Sequence, residues 1–245
     1  MGKAGAYRER NYRHLQGIEK LISFQVQVKE TDLFIHAEKE LVQEAQAAII
    51  YLRYQLENYI LQHPQFYHSF HPLPEDEFAP PIVKTMLQAS SVAGVGPMAA
   101  VAGAMAQFVG QELLAYSAEI IVENGGDIFL RTQRDLRVGI FAGPSPLSMR
   151  VGLKIPPAYG GLGICTSSAS VGPSISLGKA DAVCVISPSA SLADAAATAI
   201  GNMVHSADDL PRALAKAQSL PNIRGVIIIM GEKLGAWGEV ELINL

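Results

Sequence analysis

Apolar positions recur along the chain with two different periods, and the change from one to the other outlines the elements. From Leu21 to Ala37 they alternate as Ile22, Phe24, Val26 and Val28, then Leu33 and Ile35, with Lys29-Glu30-Thr31-Asp32 between. That is the pattern of a β-hairpin with one buried face. From Glu38 to His63 the period becomes helical: Leu41, Ala45, Ala48, Ile49, Leu52, Leu56, Tyr59 and Ile60 share one side, opposite Glu, Gln and Arg. Pro64 ends this helix, because its ring clashes with the preceding turn and it donates no N–H. Two more helices are expected at about 82–93 and 97–116. Beyond Glu119, short apolar runs predict strands at 120–122, 128–130, 136–141, 149–155, 162–165 and 182–186. Helices at about 191–205 and 208–219 and strands at 225–230 and 238–243 follow. The intermixed order predicts an α+β fold of mixed sheets packed with helices, one unit over residues 1–245. The proline- and acid-rich connection at 72–81 is where an internal boundary would fall.

Composition narrows the partners. A net charge of −4 and a pI near 5.9 argue against an electrostatic hold on nucleic acid or an anionic membrane. The one basic run, Arg8, Arg10, Arg13 and His14, reads as a solvated arm. Residues 89–110 are almost free of charge, but they are mainly Ala, Gly, Val and Met and are interrupted by Pro97, so a buried helix is expected rather than a membrane span. Met1 to Ala6 is followed by charged residues rather than an apolar segment, so no secretory signal is expected. Cys165 and Cys184 have no CxxC spacing and are expected to be reduced core residues of a cytoplasmic protein. The edges of short strands make a homodimer an expectation.

Three segments carry candidate chemistry. In Asn124-Gly125-Gly126-Asp127 the paired glycines permit positive φ, and a row of turn N–H groups can cradle a phosphate; the same dipeptides are also common hairpin turns. In Thr166-Ser167-Ser168 a strand end offers clustered hydroxyls to phosphate or ribose, or forms a plain loop. Asp194 and Thr198, four apart, share one helix face, and a carboxylate with a hydroxyl suits a hard cation such as Mg²⁺. Alternatively, Ser191-Leu192-Ala193-Asp194 is a capping box. His63, His68 and His71 match no metal spacing and read as a surface turn, and Trp237 reads as a core or edge anchor.

Taken in order, Lys29 to Leu33, Gly94 to Gly103, Val122 to Ile128, Ile164 to Ser168, Gly178 to Ala182 and Ala193 to Thr198 resemble the ApbE-like superfamily, most closely a compact branch of it, over nearly the whole chain. The resemblance implies an ApbE-like (T-fold-like) fold. Enzymes of that superfamily are Mg²⁺-dependent flavin transferases, which cleave the pyrophosphate of FAD and attach FMN to a Ser or Thr of a protein acceptor. By that resemblance Asp194 and Thr198 match the metal motif, with Ala102 at the place of a metal-binding carbonyl. Asn124, Gly125, Gly126 and Asp127 match the Gly-Gly-Asp turn, and Thr166, Ser167 and Ser168 match the Thr-Ser-Gly loop. The chain departs from the enzymes where Gly103 stands for a Lys, where Ser168 stands for a Gly, and in its N-terminal strand. It departs from its own branch at Ala169 and Pro173, where Gly and His are expected. A flavin or nucleotide binder without turnover, and a structural or assembly protein, are the competing expectations.

Overall fold

The computed structural model describes residues 15–168 and 177–245. The basic arm and the departures at Ala169 and Pro173 lie outside the described residues. Twelve strands are described, in two sheets. In spatial order the larger, antiparallel throughout, is β11 (Lys233–Gly238), β10 (Gly225–Met230), β9 (Ala182–Ser187), β8 (Ala158–Ser167), β5 (Asp127–Thr132), β4 (Ile120–Asn124), β3 (Thr31–Ala37) and β2 (Ile22–Val28); the smaller is β1 (Leu15–Gln16), β6 (Leu136–Gly139), β7 (Val151–Ile155) and β12 (Glu241–Asn244).

The expected hairpin is β2 (Ile22–Val28) with β3 (Thr31–Ala37), closed by the two-residue turn Lys29-Glu30 with Lys29 at φ 53°. Helix α1 (Val42–Gln62) follows and buries Ala45, Ile49, Leu52 and Leu56, the stripe read from the sequence. A short α2 (Gln65–His68) comes next; His63 stacks on Tyr59 and accepts no metal-type cluster around it among the described residues. Helix α3 (Pro81–Ala93) starts on proline and stops at Gly94, whose φ of 81° is left-handed. The expected helix at 97–116 is two pieces, a 3-10 turn (Pro97–Ala100) and α4 (Val101–Leu113). The pair α3 and 97–113 is bent by 105°, and no single helix among the described residues is long and apolar enough to cross a membrane.

Strands β4 (Ile120–Asn124), β5 (Asp127–Thr132), β8 (Ala158–Ser167), β9 (Ala182–Ser187) and β10 (Gly225–Met230) form the middle of the large sheet. They read as near-continuous apolar runs because both faces are covered. Val122, Val185 and Ile228 face a core shared with α1, α3, α4, α5 (Ala190–Gly201) and α6 (Leu210–Ser219). Ile121, Ile186, Ile227 and Ile229 face a second core against Leu136, Val138, Leu153 and Ile155 of the small sheet, from β6 (Leu136–Gly139) and β7 (Val151–Ile155). The molecule is therefore three layers: helices, large sheet, small sheet. The helix-side core draws residues from both sides of the 72–81 connection, where Tyr59 donates to Asp76 at 3.0 Å.

One expectation fails near the end. The strand expected at 238–243 is split: β11 (Lys233–Gly238) pairs with β10 and carries the half-buried Trp237, whereas β12 (Glu241–Asn244) pairs with β7 in the small sheet. Gly238, at φ 89°, turns the chain out of one sheet toward the other.

Candidate functional site

Register explains how distant segments meet. Asn124 opposes Leu33 and Asp127 opposes Cys165, so the β2–β3 turn, the Gly125-Gly126 turn and the Thr166–Ser168 end of β8 all fall at one end of the large sheet. Gly125 adopts φ 70°, the left-handed conformation a two-residue hairpin turn requires, and Thr166 N–H donates to the Gly126 carbonyl at 3.0 Å. Around that end lies a cavity of about 600 Å³. Asn124, Gly125, Gly126, Asp127, Thr166, Ser167 and Ser168 all line it, and so does Ala102 at the start of α4. It extends to Arg53 of α1 on the helix side and to Val138 on the small-sheet side.

Asp194 and Thr198 do not line this cavity. Asp194 instead reaches the wall from behind: its Oδ2 accepts the Gly103 N–H at 2.9 Å, and the Ala102 N–H also favours its charged form. Asn124 Nδ2 donates to the Ala102 carbonyl at 3.2 Å on the cavity side. No side chain of α4's own N-terminal residues caps it, so Asp194 caps a helix 91 residues away in sequence.

The capping box expected at Ser191–Asp194 does not form. The N-cap of α5 is Ser189, whose Oγ accepts the Leu192 N–H at 3.3 Å. Ser191 is fully buried, with its N–H donating to Gln107 Oε1 at 3.3 Å. The helix thus begins one residue before the expected start, and Asp194 faces outward from the first turn toward α4. Thr198 lies one turn further along the same face, half-buried.

Gly103 stands against α5 so closely that an added Cβ would collide with the Ala190 carbonyl and come within 2.8 Å of Asp194 Cβ. No side chain fits there, which gives a physical reason for the absence of a lysine at this position.

The electrostatics are unusual for a place with so little charge compensation. Asp194 and Asp127 keep a little accessible surface, yet the protein encloses both carboxyls. Burial pushes Asp127 up to about 7, with the charge of Glu123 adding to it, against opposing bonds from Cys165 and the Thr166 N–H. Burial also pushes Asp194 well up, and the Asp127 charge adds to it. Burial raises both thiols, Cys184 to about 11, so they stay neutral members of the core.

Arg53 and Glu57 also line the cavity, and no pattern in the sequence pointed to them; Glu30 and Thr31 line it too, from the Lys29–Leu33 segment to which the resemblance assigned no role. Arg53 and Glu57 are four apart on a helix, a spacing usually seen in a solvated surface pair.

The family model described as "AbpE bacteria" matches residues 13–223. A UPF0280 protein of Methanococcus aeolicus is 41% identical over 226 residues, covering 90% of this chain and 91% of that protein. A UPF0280 protein of Methanocaldococcus jannaschii is 41% identical over 222 residues, covering 87% of this chain and 89% of its own length. Among solved structures, the flavin transferase ApbE from Vibrio cholerae aligns with TM-score 0.57 at 14% identity, covering 89% of this chain and 96% of that one. The flavinyl transferase ApbE of Pseudomonas stutzeri aligns with TM-score 0.57 at 14% identity, over 89% and 94%. Identities that low show a shared fold and nothing finer. With the family match across most of its length and the UPF0280 relatives beside it, the chain belongs to the bacterial AbpE family and has the ApbE-like fold.

Proposed function

We propose that the chain binds FAD in the 600 Å³ cavity and, with Mg²⁺, cleaves its pyrophosphate, passing FMN to a hydroxyl of a protein acceptor. The observation that carries this reading is the pair of enclosed carboxylates, Asp127 and Asp194, with no cationic side chain to balance them among the described residues. Asp194, Thr198 and the Ala102 carbonyl would hold the cation. The donor chemistry suits it, since all three are hard oxygens. Bound there, Mg²⁺ supplies neutralisation of charge on the pyrophosphate oxygens.

The chain's own groups bind and orient. The Gly125-Gly126 turn lets backbone approach the phosphates closely, and the Thr166, Ser167 and Ser168 hydroxyls offer hydrogen bonds to phosphate or ribityl oxygens. In the transfer the acceptor oxygen forms a P–O bond to the FMN phosphorus as the pyrophosphate P–O bond breaks, AMP departs and the acceptor proton is released.

A second reading, a flavin binder without turnover, is favoured by Gly103, which leaves no room for the lysine of the enzymes. Purified protein incubated with FAD and Mg²⁺ separates the two. With water taking the acceptor's place at the FMN phosphorus, AMP and free FMN should appear only with the metal, and Asp194→Asn should lower the rate on the order of 100-fold, the scale of losing a preorganised electrostatic contact. Saturable FAD binding with no AMP would establish the second reading, and an unchanged rate in Asp194→Asn would sink the metal assignment.

A further inference from the structure

We infer that Arg53 is the residue that selects the flavin end of the ligand, by stacking its guanidinium on the isoalloxazine ring. The inference rests on the flavin reading above. Arg53 is the one Lys, Arg or His among the described residues lining the cavity. Its edge is already occupied. Nη1 donates to Thr31 Oγ1 at 2.8 Å, and Nη2 donates to Glu30 Oε2 and Glu57 Oε1, both at 2.7 Å. Nε is buried with no hydrogen-bond partner among the described residues, and the side chain is only 16% exposed. Lys29 closes the network on Glu57 at 2.8 Å.

Two consequences follow from this arrangement. Arg53 and Lys29 are balanced by Glu30 and Glu57, so this end of the cavity holds no net positive charge for a phosphate. With both terminal nitrogens engaged and Nε enclosed by protein, what the guanidinium still offers a ligand is its flat face, which stacks on aromatic rings. The neighbouring wall is apolar. Leu56 and Ile60 follow Arg53 at i+3 and i+7 on α1, and Met98 and Met105 complete the wall from the 3-10 turn and α4. A broad ring with an apolar dimethylbenzene edge suits such a wall; adenine, smaller and polar around its rim, does not. FAD would therefore lie with its flavin against α1 and its pyrophosphate toward Asp127 and Ala102.

The test is a comparison of two halves of FAD on the full chain. Riboflavin binding is read by flavin fluorescence and AMP binding by calorimetry, for wild type, Arg53→Lys and Ile60→Ala. Arg53→Lys keeps the charge that holds Glu30 and Glu57 but loses the plane. Riboflavin affinity should fall about tenfold, the scale of a desolvated cation–π contact, while AMP affinity stays within about twofold. Ile60→Ala, which touches none of the ion pairs, should weaken riboflavin about threefold and leave AMP unchanged. Equal losses for both ligands would assign Arg53 a merely structural role and overturn the inference, as would no loss, or a loss confined to AMP. A wild-type chain that binds neither FAD nor riboflavin would instead sink the flavin reading itself.

Discussion

Two places in this molecule enclose carboxylates, and they treat them in opposite ways. Glu119, only 4% exposed in its side chain, is met by the Arg134 guanidinium, by Thr132 Oγ1 at 3.0 Å and by the Gln133 N–H at 2.9 Å. Burial alone would raise its pKa, but these partners outweigh burial and hold it below the usual carboxylate range. Among the described residues, Asp127 and Asp194 receive only backbone N–H groups and a thiol; burial holds both above that range, helped by the Glu123 charge at Asp127 and by the Asp127 charge at Asp194. The first arrangement is complete as it stands and ties β5 to the segment before β4. The second carries no counter-charge among the described residues and is left to titrate upward. Enclosing a charge is thus no sign of function by itself; enclosing it without a counter-charge marks a candidate site.

The contrast can be broken from either side. The largest effect on stability is expected where a counter-charge has been sterically excluded: Gly103→Ala forces a methyl group onto the Ala190 carbonyl, and should cost about 3 kcal/mol in denaturant unfolding, at the upper end for overpacking. A cost below about 0.5 kcal/mol would mean that α4 and α5 can move apart and that a lysine is not barred there.

Arg134→Ala should cost about 2 kcal/mol, less than the 3–5 for a fully buried pair because Arg134 is 29% exposed in its side chain. Metal and flavin binding should stay within about twofold, since nothing at Glu119 reaches the cavity. A large loss of ligand binding in this variant would end the separation of the two regions.

The smallest effect sharpens the contrast through pH. Asp127 titrates at about 7 when folded and in the usual carboxylate range when unfolded, so between those values the folded state binds the extra proton. Stability from this group is therefore present at low pH and is lost as pH rises toward 7. Against Asp127→Asn as the reference, the wild-type Tm should fall by about 3 °C between pH 5 and pH 8. Mg²⁺ held by Asp194 should restore it at pH 8 by neutralising the Asp127 charge nearby, and do little at pH 5, where Asp127 is protonated. Parallel Tm curves for the two proteins would show that Asp127 is compensated after all.

Most of the fold was legible in the sequence because periodicity survives folding. The period-two hairpin at 22–37, the stripe Ala45, Ile49, Leu52 and Leu56, and the buried runs of β4, β9 and β10 each follow from local spacing. The break at Gly238 was not legible, since both halves of 233–244 have strand-like residues and only pairing decides which sheet receives each. The start of α5 was misjudged for a related reason: Ser189 and Ser191 are both fit to cap, and Gln107 from α4 decides between them by taking Ser191.

The candidate site divides along the same line. Local sequence determined that Asn124-Gly125-Gly126-Asp127 is a tight turn between two strands, that hydroxyls cluster at the end of β8, and that Asp194 and Thr198 share a helix face. Tertiary structure alone decided what those groups do. It turned Asp194 from a cap of its own helix into the acceptor at the start of α4, placed Asn124 on the Ala102 carbonyl, and brought Arg53 to the same cavity from α1. A residue's conformational preference depends on its immediate neighbours, whereas its protonation, its hydrogen-bond partner and its access to a ligand depend on the segments that fold against it.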